Sequence, residues 1–384
     1  MEAGALKSGN NTYFENLDTT RFLGFLHVFL AHCFFTTNPA ISSSPEFHLA
    51  TVSIKAGFLG LDYFFVLSSF LLTWLALEEK RKTGQFNPLL FLIRRGIRLW
   101  PLYFLLLCLV YGFFHFFGDL MGLKPLPPAA VFFFFISNFY IIQHGQDFLF
   151  LLVFFWSIAV EEQFYLFWAF VLKFLQKHLL RISLLMVVAS LVFRYFYRND
   201  SHTLSFHTLS MIGNFGMGAI AAIMAFRSSA FRGLFVNVSR GTSILVYLIL
   251  LLLLLNYFQW FNSGFMLVFE KLIFSVFFVY LIMEQSFAKR PLVALGQFKT
   301  LSYLGQLSLG LYCYHGIVLT LMVPLMKANG LAERPLQVFL INPLLIFLLT
   351  MLLAIVSYET MEKRVHQLRR HFYPKRIPTQ STRK

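Results

Sequence analysis

Apolar residues recur along this chain in long unbroken runs separated by short polar segments, and run length is the first structural signal. A helix rises about 1.5 Å per residue, so about 20 apolar residues cross the hydrocarbon core of a bilayer. Runs of that kind lie at about 21–40, 58–77, 99–118, 148–172, 179–198, 209–226, 242–260, 265–286, 303–325 and 336–358. One further apolar stretch, AAVFFFFISNFYII at 129–142, has only about two-thirds of the necessary length and reads as re-entrant or interfacial. The pattern predicts an all-α polytopic membrane protein: a bundle of about ten transmembrane helices plus that re-entrant or interfacial segment.

Composition agrees. Apolar residues make up 58% of the 384 and charged residues 13%, whereas a soluble domain is about one-quarter charged. The 50 phenylalanines exceed what a soluble core hides, so lipid is the solvent for most of the surface. The net charge of +15 would suggest a nucleic-acid partner in a soluble protein. Here the basic residues sit in short segments between apolar runs, where cytoplasmic retention explains them and no nucleic acid is expected. Threading ten spans places 25 of the 32 Lys and Arg on one side, with both termini cytoplasmic in a cell (inner) membrane. Counting 129–142 as a full span would reverse every later loop.

The expected organisation is a cytoplasmic segment at 1–20, a transmembrane domain at 21–358 and a basic, partly disordered cytoplasmic tail at 359–384. Glu2, Glu15 and Asp18 make the first segment unlike a signal peptide, so the first apolar run is expected to persist in the mature protein. Cys33, Cys108 and Cys313 lie inside apolar runs without CxxC spacing, which points to neither a disulfide framework nor a metal site.

Ionisable residues within spans are expensive and therefore candidates for function. Arg21 and His32 in the first run are 11 residues apart, which leaves them about 20° off one line and about 16 Å apart along a helix. His27 points about 140° away from His32 and reads as a packed, hydrogen-bonded side chain. Asp62, among aromatics in the second run, needs a partner; structural and functional readings both remain open. Arg94, Arg95 and Arg98 lie at helical spacing, and their guanidinium forks suit phosphate oxygens, although positive-inside retention explains their charge equally. In WSIAVEEQFY, Glu161 and Tyr165 share a helix face while Glu162 points about 100° away. Glu270 and Lys271 read as interhelical ion pairs. Tyr312 and His315, three apart, can line a cavity or pack.

These motifs resemble the acyltransferase type 3 family. Leu17, Asp18, Arg21 and His32 match its opening LD-x-x-R and histidine; Gly57–Phe70 is similar to its GxxGVDxFFxxSGF segment, with Ser68-Ser69 replacing a Ser-Gly pair. Arg94, Arg95, Arg98 and Pro101 match RRxxRxxP. Trp156, Ser157, Glu161, Phe164 and Tyr165 match WSLxxExxFY, and Ser308, Tyr312 and His315 match SxxxYxxH. The matches run in family order from residue 17 to about 320. Unlike the long members, the chain is expected to carry no fused SGNH-type domain after them.

The resemblance implies O-acylation, most often O-acetylation, of a carbohydrate or glycolipid acceptor, with acyl-CoA (acetyl-CoA) as co-substrate and no permanently bound cofactor. It places His32, Glu161, Asp18 and Tyr165 in catalysis, and Arg21, Arg94, Arg95 and Arg98 on the donor. Asp62, Trp156, Ser157, Tyr312 and His315 fall on the acceptor side or the cavity wall. His32 suits a base near neutral pH; direct transfer and a covalent acyl-enzyme are both compatible with these residues. A transporter or flippase with a buried Asp/Glu/His relay is the rival class, and it predicts symmetry-related broken helices, for which the sequence shows no internal repeat.

Overall fold

The computed structural model describes residues 5–8, 11–118, 125–261 and 264–372, and nearly all of them are helical. Each of the ten expected runs forms a helix: α1 Asn16–Cys33, α2 Phe58–Thr83, α3 Pro88–Phe117, α4 Phe150–Phe174, α5 Leu179–Phe196, α6 Thr208–Arg227, α7 Arg240–Leu255, α8 Gly264–Phe287, α9 Ser308–Ala328 and α10 Asn342–Ser357. Among the described residues, eight helices are long and apolar enough to cross a membrane. The two that fall short do so for different reasons. The 18-residue α1 begins with the polar stretch NLDTTR, and the 16-residue α7 qualifies only with the helix Ser229–Val236, from which it turns by 86°.

One departure from an all-helical chain precedes α1. Strands β1 Ala5–Ser8 and β2 Asn11–Phe14 pair antiparallel, with Ala5 opposite Phe14. At the other end, the basic stretch after α10 continues as helical turns to Phe372, and residues 373–384 of the expected tail lie outside the described residues.

The stretch 129–142 does not form one span. It breaks into helices Ala129–Phe133 and Ser137–His144, with Phe135 at a positive φ of 53° between them. A non-glycine residue rarely holds that conformation without support. Gln163 on α4 supplies it, donating to the Phe135 carbonyl at 2.7 Å and to Asn138 Oδ1 at 2.9 Å. Backbone bent at membrane depth needs protein partners of this kind because lipid offers none.

The core of the bundle is formed by α2, α4 and α6, whose side chains are largely buried, while α7 exposes leucines and isoleucines along most of its length. In lipid, helices associate through close packing rather than a hydrophobic drive, so small residues decide which faces meet. The α6 sequence MIGNFGMGAIAAI supplies them. A Cβ at Gly218 would lie 2.1 Å from the Val66 carbonyl oxygen of α2. At Gly305, in the short helix Lys299–Gln306, it would lie 1.7 Å from the Asp18 carbonyl oxygen, which is how that helix reaches the start of α1.

Replacing Gly218 by Val is expected to push α6 off α2 and lower stability by about 1–3 kcal/mol or more. Thermal unfolding of detergent-solubilised protein measures it; an unchanged midpoint would show that the contact tolerates a side chain.

Candidate active site

Five helices, α1, α2, α3, α4 and α9, enclose a cavity of about 110 Å³. Its polar lining comes from all five: Arg21, Ser68, Arg95 and Arg98, Ser157, Glu161 and Tyr165, and Ser308 and Tyr312. Leu61, Phe64, Phe65 and Leu99 supply apolar wall. Three guanidinium groups and one carboxylate therefore share a low-dielectric space, where charge is felt strongly.

Arg21 is aimed by its own helix. The Asp18 carboxylate accepts from its guanidinium and from the Tyr13 hydroxyl, and receives the Gln306 amide at 3.4 Å. Tyr13 lies before α1, and burial, together with the carboxylate it donates to, holds its hydroxyl above its ordinary range, so it remains a donor. Asp18 thus orients an arginine rather than reaching the deeper histidine. On the opposite wall, Ser68 Oγ donates to Glu161 Oε1 at 2.8 Å. Ser68 is a member the sequence reading did not put forward as a site residue, although its place in the small-residue motif at 57–70 was the available signal.

The wall facing His32 is built by Tyr312 and Ser157. The Tyr312 hydroxyl donates to the Phe154 carbonyl at 2.9 Å and lies 2.8 Å from the Ser157 hydroxyl. Beyond them the Phe154 ring packs at 5.0 Å from the His32 ring and 4.4 Å from the His315 ring. His32 Nδ1 is 2.8 Å from the Val28 carbonyl. A carbonyl only accepts, so Nδ1 carries the hydrogen and the neutral ring keeps its lone pair on Nε2, the form a base requires. Trp156 is buried against Phe65 and Phe206 behind this wall.

Two expected residues stand elsewhere. Arg94 donates to Glu79 at 2.5 Å and to the Phe372 carbonyl at 2.9 Å, fastening the final helical turns to α3. Asp62 lies in a closed cluster between α2, α5, α6 and α8, bound by Lys271 at 2.6 Å and Asn214 at 2.7 Å. Beside it, Arg194 donates to Glu270 at 2.8 Å and to Ser210 at 2.9 Å. Glu270 and Lys271 do form the expected interhelical pairs, with Arg194 and Asp62 respectively. Each partner lies far away in sequence, where no local pattern announces it. His27 is a packed side chain, with Nε2 at 2.7 Å from the Ala56 carbonyl.

A membrane bundle that gathers basic, acidic and hydroxyl groups beside a buried histidine has the parts of a group-transfer enzyme. The family model described as "Acyltransferase domain" (Acyl_transf_3) matches residues 14–359, and the chain belongs to that family. Among known proteins, it is 28% identical to the peptidoglycan O-acetyltransferase OatA of Listeria monocytogenes over 75% of this chain and 49% of that one. It is 26% identical to the O-acetyltransferase OatA of Staphylococcus aureus over 84% of this chain and 54% of that one. The chain thus spans about half the length of the curated relatives it matches. No solved structure matches it.

Removing one partner of a buried ion pair leaves the other charge unsolvated, which costs about 3–5 kcal/mol, whereas replacing both is often neutral. Lys271→Met is therefore expected to destabilise the bundle by about that amount, and the Lys271→Met, Asp62→Leu double variant to recover much of it. Unfolding midpoints of the three proteins in detergent decide; a double variant no better than the single one would show that the cluster does not act as a pair.

Proposed function

We propose that the protein is an integral membrane O-acyltransferase that moves an acetyl group from acyl-CoA to a hydroxyl of a carbohydrate or glycoconjugate, with both termini on the cytoplasmic side of a cell membrane. The observation that carries this reading is the meeting of Arg21, Arg95, Arg98, Glu161 and Tyr165 around one cavity, with His32 one ring-layer beyond its wall. The O-acetyltransferase names of both relatives support a hydroxyl acceptor, and the Listeria protein's name makes peptidoglycan the first acceptor to try.

In this reading Arg95 and Arg98 hold donor phosphates, since guanidinium forks match their oxygens. The thioester reaches past Tyr312 and Ser157 towards His32. The Nε2 lone pair of His32 takes the proton of the acceptor hydroxyl as its oxygen attacks the thioester carbon. Hydroxyls of Ser157 and Tyr165 stand along the wall where negative charge on the carbonyl oxygen needs donors. The C–S bond then breaks, and the thiolate leaves with the proton. Glu161, held by Ser68, faces the cavity and positions the donor or acceptor rather than His32.

Transfer from labelled acetyl-CoA in proteoliposomes tests this directly. His32→Ala should lower turnover roughly 10²–10⁴-fold, the usual worth of a placed proton acceptor. Donor binding should survive, because Arg21 holds its place about 16 Å away along α1. His27→Ala should affect stability more than rate, and substituting Gln at Arg95 and Arg98 should weaken coenzyme A binding. An active His32→Ala alongside an inactive His27→Ala would reverse the assignment. For topology, a C-terminal reporter that works only outside the cytoplasm should stay silent; strong signal would overturn the ten-span orientation.

A further inference from the structure

His315 is fully buried, and its Nε2 has no hydrogen-bond partner among the described residues. Its Nδ1 meets the Tyr312 carbonyl. As for His32, a carbonyl can only accept, so Nδ1 carries the hydrogen and the neutral ring presents a bare lone pair at Nε2. Leaving a buried polar atom unsatisfied is unfavourable, and such an atom in a native site calls for a role. The ring centroids of His315 and His32 are 5.8 Å apart. Two imidazoles with the same tautomer therefore stand side by side, both nitrogens able to accept and neither able to donate to the other.

Their surroundings are otherwise apolar. Phe150 and Phe154 of α4, Phe25 of α1 and Tyr312 of α9 form the ring contacts. Tyr312 is the one other titratable group in ring contact with the pair among the described residues, and its hydroxyl is already held by Ser157 and the Phe154 carbonyl. A cation forming on His32 would find no carboxylate among these contacts, and an unpaired charge in such a place is costly.

We propose that His315 is the positioning partner of His32, its Nε2 lone pair sharing the proton that His32 removes from the attacking hydroxyl. The inference rests on the acyl-transfer reading for its chemistry. The acceptor O–H bond breaks and an N–H bond forms on His32; the new C–O bond forms as the C–S bond breaks, its electron pair leaving on sulfur. The proton, held between the two Nε2 atoms in the interval, passes to the thiolate. A lone imidazole would hold the same proton against apolar walls, whereas the pair spreads the charge over two rings.

The test begins without substrate. In full-length protein carrying ¹⁵N-labelled histidine, the Nε2 signal of His32 is followed against pH in wild type, His315→Phe and His315→Gln. Losing the shared lone pair makes the His32 cation harder to form, so its midpoint should fall in His315→Phe. His315→Gln, which offers a carbonyl oxygen as acceptor, should restore part of the shift. A midpoint unmoved in His315→Phe, or Gln no nearer wild type than Phe, would overturn the proposal.

Transfer assays form the second arm. His315→Phe should lower kcat roughly 10–100-fold, less than the roughly 10²–10⁴-fold that a group transferring the proton itself supplies, with the KM for acetyl-CoA unchanged. The acid limb of its rate profile should move to lower pH. A loss of rate without that movement would mark His315 as a packing residue and sink the inference. A wild-type protein that transfers nothing from acetyl-CoA, but whose histidine signals move as described, would place the failure in the acyl-transfer reading and leave the pair standing.

Discussion

An ionised side chain inside a bilayer has no water to solvate it, and that single constraint organises this protein. The clearest case is the cluster of Asp62, Lys271, Glu270 and Arg194, two acids and two bases drawn from three helices. Asn214, Ser275 and Ser210 complete their hydrogen bonds. Because each charge is tolerable only where its partner stands, the cluster ties α2, α5, α6 and α8 into one arrangement. The small residues of α6 allow the backbones to come close enough for those bonds to form.

The same constraint works differently at the cavity. There Arg21, Arg95, Arg98 and Glu161 line one open space between the helices. Asp18 aims Arg21, and Ser68 holds Glu161, so the charged groups are oriented before any ligand arrives. Fixed dipoles and charges of this kind need no rearrangement when charge develops in a reaction. Tyr312, Ser157 and Phe154 separate this polar space from the two histidines, which lie among aromatic rings. His315 is fully buried there and His32 partly so.

Much of this was legible in the residues. Run length marked the helices, because the bilayer sets how many apolar residues a span needs. The shortfall of 129–142 marked the broken segment, and the spacing of Glu161 and Tyr165 put them on one face of α4 by helix geometry alone. Arg95 and Arg98 were named with Arg94 because a local pattern cannot tell a cavity-lining arginine from one paired to Glu79 on the neighbouring helix. The strand pair before α1 escaped notice because hydropathy reports burial in lipid, and a short polar hairpin carries no such signal.

The sequence by itself therefore determined what depends on single segments: which stretches enter the membrane, which polar residues enter with them, and which of those share a helix face. Only the tertiary structure decided partnership. Lys271 found Asp62 209 residues away, and His315 came to lie beside His32 across two helices. Those pairings follow from how helices pack, through contacts such as Gly218 on Val66, and packing sums over surfaces that no one segment contains.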